Sequence, residues 1–134
     1  MSPLGDVQLT EDEYGMVMHT NHFLENKFTE EHPWLPGSPI RLDRVRELAR
    51  GLVKEGVTED AITPAILRER IFSDNYNDPQ SICAQEDLTR HPTVRSASLF
   101  NIVMNLDPRN PSAEIVMDRS DHGMEGPVMQ MPWV

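Results

Sequence analysis

The stretch "TVRSASLFNIVMNLD", residues 93–107, sets the tightest limit on what this chain can fold into. Val94, Ser96, Ser98, Phe100, Ile102, Met104 and Leu106 occupy alternate positions, the period of an extended strand. The opposite set also contains apolar residues. A strand that is apolar on both sides needs cover on both. Two helical patterns elsewhere in the chain can cover one side. Nothing obvious covers the other. The expectation is a single partial domain over residues 1–134, belonging to something larger. Composition agrees, since hydrophobic residues make up 38% of the chain and prolines number 11. That is few core-forming residues and many interruptions for one domain of this length.

The remaining pattern is mixed. "VQLTEDEYGMVMHTNHF" reads as two short extended stretches around a turn at residues 12–15. Residues 26–41, with three prolines and a glycine, predict a long irregular loop. "IRLDRVRELARGLVKEG" is the clearest helix. Leu42, Val45, Leu48, Ala49 and Leu52 recur at three- and four-residue steps, and Gly56 stops it. Arg41, Arg44 and Arg46 read most simply as its solvated side. A second helix opens with Thr63 as cap and Pro64 at its first position, with Ala65, Ile66, Leu67 and Ile71 on its apolar side. "PRNP" is a turn, "SAEIVMD" a returning strand, and "GPVMQMPWV" one more edge strand. The order gives an α+β class with antiparallel strands and two helices.

Charge removes several function classes. The chain carries 22 acidic and 12 basic residues, a formal net charge of −10. Such a surface repels phosphate backbones and anionic membrane, so nucleic acid and membrane are not expected partners. No apolar run approaches the roughly 20 residues of a membrane span. The acidic start "MSPLGDVQLTEDEYG" lacks the features of a signal peptide, and the single cysteine, Cys83, cannot close an internal disulfide. An intracellular setting, cytoplasmic or organellar, is the expectation. His19, His22 and His32 are too loosely spaced for zinc, and no acidic or cysteine cluster completes a tetrahedral set. No metal and no cofactor are expected.

"GMVMHTNHFL", "SPIRLDRVRELARGL", "DNYNDPQSICAQED" and "VRSASLFNIVMNLDPRNPSAEI" fall in this order across residues 14–118. Together they resemble the C-terminal part of the isopenicillin N acyltransferase family, the acyl-CoA:6-aminopenicillanate acyltransferases and related amidohydrolases. "VMQMPWV" resembles the last strand of that family. The resemblance implies an N-terminal-nucleophile hydrolase, a four-layer αββα sandwich of which this chain holds the C-terminal portion. It implies a small acyl or amide substrate, with acyl-CoA entering as substrate rather than cofactor.

In that family the nucleophile is a cysteine that becomes a new N-terminus by self-cleavage, and its own α-amino group is the base. By the resemblance this residue lies upstream, outside the sequence. Cys83 matches an internal cysteine with no free amine beside it, and reads as a small buried side chain. Alone, the chain is expected to be inactive. Two positions match site residues. Asn21 matches the asparagine whose side-chain N–H stabilises the oxyanion, as a fixed neutral donor can. Arg95 matches the arginine that closes the pocket and holds a carboxylate or supports the developing anion. Read from the residues alone, Asn21 fits a turn or cap and Arg95 an ordinary salt-bridged side chain.

Three functional readings differ in class. The chain is a piece of an enzyme, whose partner is the missing N-terminal half or a second copy in a homo-oligomer. Or it is a non-catalytic remnant that binds a small molecule. Or it is an acidic interaction module that shares only the fold. The uncovered strand favours the first.

Overall fold

The computed structural model describes residue 5 and residues 7–24, 37–117, 119 and 127–131. Most of the loop expected over 26–41, His32, His122 and the last strand beyond residue 131 lie outside these residues.

Helix α1 spans Ser38–Lys54 and buries Leu42, Ala49 and Leu52. These are the apolar positions of the three- and four-residue pattern. Gly56 terminates the helix at φ +81, a left-handed conformation that glycine adopts without steric cost. Its N–H bonds the carbonyl of Val53, and the N–H of Val57 bonds the carbonyl of Leu52, each at 3.0 Å. Two otherwise open carbonyls are thereby satisfied, and Val57 packs back onto the cluster around Leu52.

Helix α2, Pro64–Leu67, continues into π-helical turns over Arg68–Phe72. Thr63 caps it, accepting from the Ile66 N–H at 3.2 Å. Ile66 and Leu67 pack toward α1, and Ile71 joins Ala49 and Leu52 in the core. Ala65 is exposed. Arg68, one turn after Pro64, is the residue that turns inward, at 2% exposure.

The sheet has three antiparallel strands in the order β1-β2-β3: Asn101–Asn105, Ser112–Val116 and Val128–Met131. The turn between β1 and β2 closes with the Asn110 N–H on the Asp107 carbonyl at 3.0 Å. The mixed α+β class follows. Registry places Ile102 opposite Ile115 and Ile115 opposite Met129, with Met104 opposite Ala113. Opposed residues share a face, so these form an uncharged apolar side. Asn101, Val103, Glu114 and Val116 form the other side, which meets Arg68 of the helices.

Two expectations change. The long strand read over 93–107 pairs only at Asn101–Asn105. Residues 92–94 form a 3₁₀ turn, and 95–100 have no ladder among the described residues. A strand is defined by its partner, and β2 supplies five residues only. Before β1 the chain instead ties back locally, with the Ser98 N–H on the Ala84 carbonyl and the Ala84 N–H on Ser98 Oγ, both at 3.0 Å.

The segment before His19 is the second change. It does form the expected turn, with Asp12 Oδ1 accepting from the N–H groups of Tyr14 and Met16 and Gly15 at φ +73. Among the described residues, 7–19 form no ladder with the sheet. Met16 and Met18 pack against the helical cluster instead. Their flexible side chains fit the irregular gap along α1.

Candidate functional site

Residues 20–22 meet the first turn of α1. Ser38, 1% exposed, is the hub. Its Oγ accepts from the Asn21 backbone N–H at 2.8 Å and lies 2.9 Å from His22 Nδ1. Thr20 donates to the Ser38 carbonyl at 2.9 Å and accepts from Ser38 Oγ at 3.0 Å. Thr20 Oγ1 also stands 3.1 Å from His22 Nδ1. No side chain caps the first N–H groups of α1, and the helix backbone group that this cluster bonds is the Ser38 carbonyl.

Gly37 makes the approach possible. A Cβ there would stand 2.6 Å from Gln80 Cβ and 2.7 Å from the Gln80 carbonyl oxygen. Any side chain would push residues 78–80 away from the start of α1.

Asn21 is the member of this group that faces outward. Its Oδ1 accepts from Arg41 Nη2 at 2.7 Å. A guanidinium has five donors and no acceptor, so the amide must present its oxygen to Arg41. The Nδ2 group therefore points elsewhere. Among the described residues it has no hydrogen-bond partner. Arg41 sits half-buried on α1, and that burial pulls its guanidinium below the ordinary arginine range. An exposed amide donor beside a positive charge, with its backbone N–H fixed by a buried serine, is suited to receive an oxygen anion.

A serine 2.9 Å from a histidine is also the geometry of an activated nucleophile. Ser38 does not fit that role. No substrate atom can reach an oxygen this buried, and its hydroxyl already donates to Thr20.

Arg95 stands in a separate loop. It clasps that loop from within, donating to the Arg90 carbonyl at 2.8 Å, the Leu88 carbonyl at 3.2 Å and Glu86 at 3.2 Å. Asp87 lies in the same loop, and its carboxyl is held below its ordinary range. The first cause is the hydroxyl and N–H of Thr89, followed by Arg90 and Arg95 nearby. Asn21 and Arg95 share no bond and no common partner among the described residues. Cys83 is buried at 1% exposure, as a small apolar side chain, at the edge of a hollow of about 230 Å³ with Phe72, Phe100 and Ile102.

Some features were not read from the sequence. Arg68 donates to Asn101 at 2.5 Å and to the Glu114 carbonyl at 3.2 Å, and forms a close ion pair with the Glu114 carboxylate. The other carboxylate oxygen of Glu114 takes a hydrogen bond from Gln130. This network pins the helices to all three strands. Arg44 holds Asp74 at 2.7 and 3.0 Å and Glu47 at 2.8 Å, with its guanidinium 5.1 Å from the Tyr76 ring. The bonds to Asp74 and then to Glu47 raise the Arg44 pKa further above its already high ordinary value. A groove of about 550 Å³ runs between Met16 and Met18 on one wall and Arg46, Arg50 and Lys54 on the other. Asn21 and Arg41 do not line it.

Among the described residues no group of three His, Cys, Asp or Glu side chains is placed to hold a metal, and no helix is long and apolar enough to cross a membrane. No protein-family model matches the chain, and no curated protein matches it.

Proposed function

We propose that this chain is the C-terminal portion of an acyl-transferring or amide-hydrolysing enzyme of the N-terminal-nucleophile type, resembling isopenicillin N acyltransferase. The nucleophilic cysteine and its α-amine belong to a segment outside these residues. Asn21 supplies the oxyanion donor. The observation that carries this reading is the Arg41–Asn21 bond, which occupies the amide oxygen and leaves the nitrogen without a partner among the described residues. In the reaction the acyl carbonyl oxygen gains negative charge as the thiolate adds. The Asn21 N–H meets that oxygen, and the Arg41 charge behind it favours the anion.

Arg95 is the second proposed site residue. Its ion pair with Glu86 is an exposed one at 3.2 Å, and such pairs are weak enough for a substrate carboxylate to displace. The substrate is a small acyl thioester or amide. The apolar side of the sheet, with Met104 and Met129 about half exposed, is where the second sheet of an αββα sandwich packs. The surplus of acidic residues disfavours nucleic acid and anionic membrane as partners.

A second reading is a non-catalytic remnant of the same fold that binds a small molecule or a protein. The closure of Thr20, His22 and Ser38 upon one another favours it, because those polar groups need no substrate to be satisfied. Turnover separates the two. The full-length protein carrying this chain should cleave an acyl thioester or amide, and Asn21→Ala should slow the acylation step. A full-length protein that binds such compounds without turning them over would establish the second reading.

A further inference from the structure

We propose that the groove between residues 16–18 and the second half of α1 binds a small amphipathic carboxylate, an apolar chain ending in one negative charge. The inference does not rest on the catalytic reading, because Asn21 and Arg41 do not line this groove.

Two cations set the groove apart. Seven described arginines each hold an acidic side chain. The side chains of Arg50 and Lys54 have neither an ion pair nor a hydrogen bond with any described residue. The chain has 22 acidic residues to 12 basic ones, so cations left without an acidic partner are unexpected. Both are exposed, four positions apart on one face of α1, about 6 Å along its axis. Two flexible side chains at that spacing can close on a single anion. The helix dipole accounts for a cation at Lys54, in the last turn. It does not account for Arg50, a turn earlier.

The groove holds about 550 Å³, within the roughly 300–1,000 Å³ of small-molecule sites. Leu9, Met16 and Met18 give it an apolar side. Its acidic residues are already engaged. Asp43 lies 3.5 Å from Arg46, and Glu47 lies 2.8 Å from Arg44. Asp12 Oδ1 accepts from the N–H groups of Tyr14 and Met16, and its Oδ2 is buried away from solvent. The accessible charge left for a ligand is therefore positive. The same three carboxylates repel a second negative charge, which favours a carboxylate over a phosphate dianion. The planar fork of Arg50 matches the two oxygens of a carboxylate, and the methionine side chains adapt to the apolar chain behind it.

The test follows the methionine methyl groups of the full-length protein by NMR as heptanoate is added, with Met16→Leu and Met18→Leu assigning the two signals. Both signals should shift and saturate below about 10 mM, the affinity range of so small a ligand. Heptan-1-ol has the same chain without the charge and should bind at least about tenfold more weakly. Arg50→Gln and Lys54→Gln should each weaken heptanoate about tenfold, the loss of one charge-assisted hydrogen bond. Both positions are exposed, so the methyl spectra before addition should match that of the unsubstituted protein. Arg95→Ala should leave the affinity unchanged, which separates this groove from the proposed catalytic pocket. Absence of saturable shifts at the two methionines overturns the proposal. So does equal affinity for the alcohol, or an affinity unchanged in the Arg50→Gln, Lys54→Gln double variant. A hexaglutamate peptide that shifts both signals where heptanoate does not would assign the two cations to an acidic protein segment, and overturns it as well.

Discussion

Arg41 holds Asn21 by its side-chain oxygen at 2.7 Å, and so decides which end of the amide meets solvent. The helix that carries Arg41 and the turn that carries Asn21 are fixed to each other through Ser38. Arg41→Ala should therefore free the amide to rotate without unfolding the join. In the full-length protein the acylation rate should fall while thermal stability stays near that of wild type. Arg41→Lys should restore part of the rate, since an ammonium also donates to Oδ1. A large stability loss in Arg41→Ala, with no separate rate effect, would make the contact structural only.

The chain by itself should turn over neither acyl thioester nor amide. Cys83 is buried and Ser38 has no exposed face. Assay of the purified chain with a chromogenic amide checks this. Activity that survives Cys83→Ala would reveal a nucleophile among these residues. Activity lost on that substitution would give Cys83 a role its burial argues against.

Arg68→Ala should destabilise the fold by about 3–5 kcal/mol, read by urea unfolding. It leaves the Glu114 carboxylate at the helix–sheet join with its cation removed. Arg70→Ala, two residues on, breaks only an exposed pair with Glu55 and should change stability little.

Two glycines, one within α1 and one at its N-cap, should respond in opposite directions. Gly51→Ala meets nothing within 4 Å and should stabilise α1 by about 0.5–1 kcal/mol. Gly37→Ala drives a methyl group into the Gln80 backbone and should destabilise the protein. Thermal melts of the two variants give the comparison.

The loop around Arg95 should loosen in acid. The Asp87 pKa is lowered on folding, so its contribution is present above the ordinary aspartate range, near pH 4. It is lost as pH falls through the lowered folded value. The protection of the Thr89 amide, its exchange by NMR relative to the intrinsic rate at each pH, should fall over that window in wild type. In Asp87→Asn it should show no such step.

Helix α1 was legible because its apolar spacing and its stop at Gly56 are both local. So were the Thr63–Pro64 start of α2 and the turn after Asp107. The burial of Arg68 was not. Its acceptors Asn101 and Glu114 lie 33 and 46 positions away, and an arginine between Leu67 and Glu69 reads as surface. The strand over 93–107 was overextended because alternation shows where a strand can form, while pairing decides where it does. At the site, the pattern of residues 19–22 marked a special segment. It did not show that Thr20 and His22 turn in toward Ser38 while Asn21 turns out. That division depends on contacts 16–20 positions distant.

The most direct measurement is single-turnover acylation of the full-length protein carrying Asn21→Ala, with an acyl thioester as substrate. Removing one preorganised oxyanion donor lowers such a step by roughly a hundredfold or more. The account predicts that loss, with the thermal unfolding midpoint nearly unchanged, because the Asn21 side chain is exposed and, among the described residues, bonded to Arg41 alone. An acylation rate equal to wild type in a folded Asn21→Ala protein would contradict it.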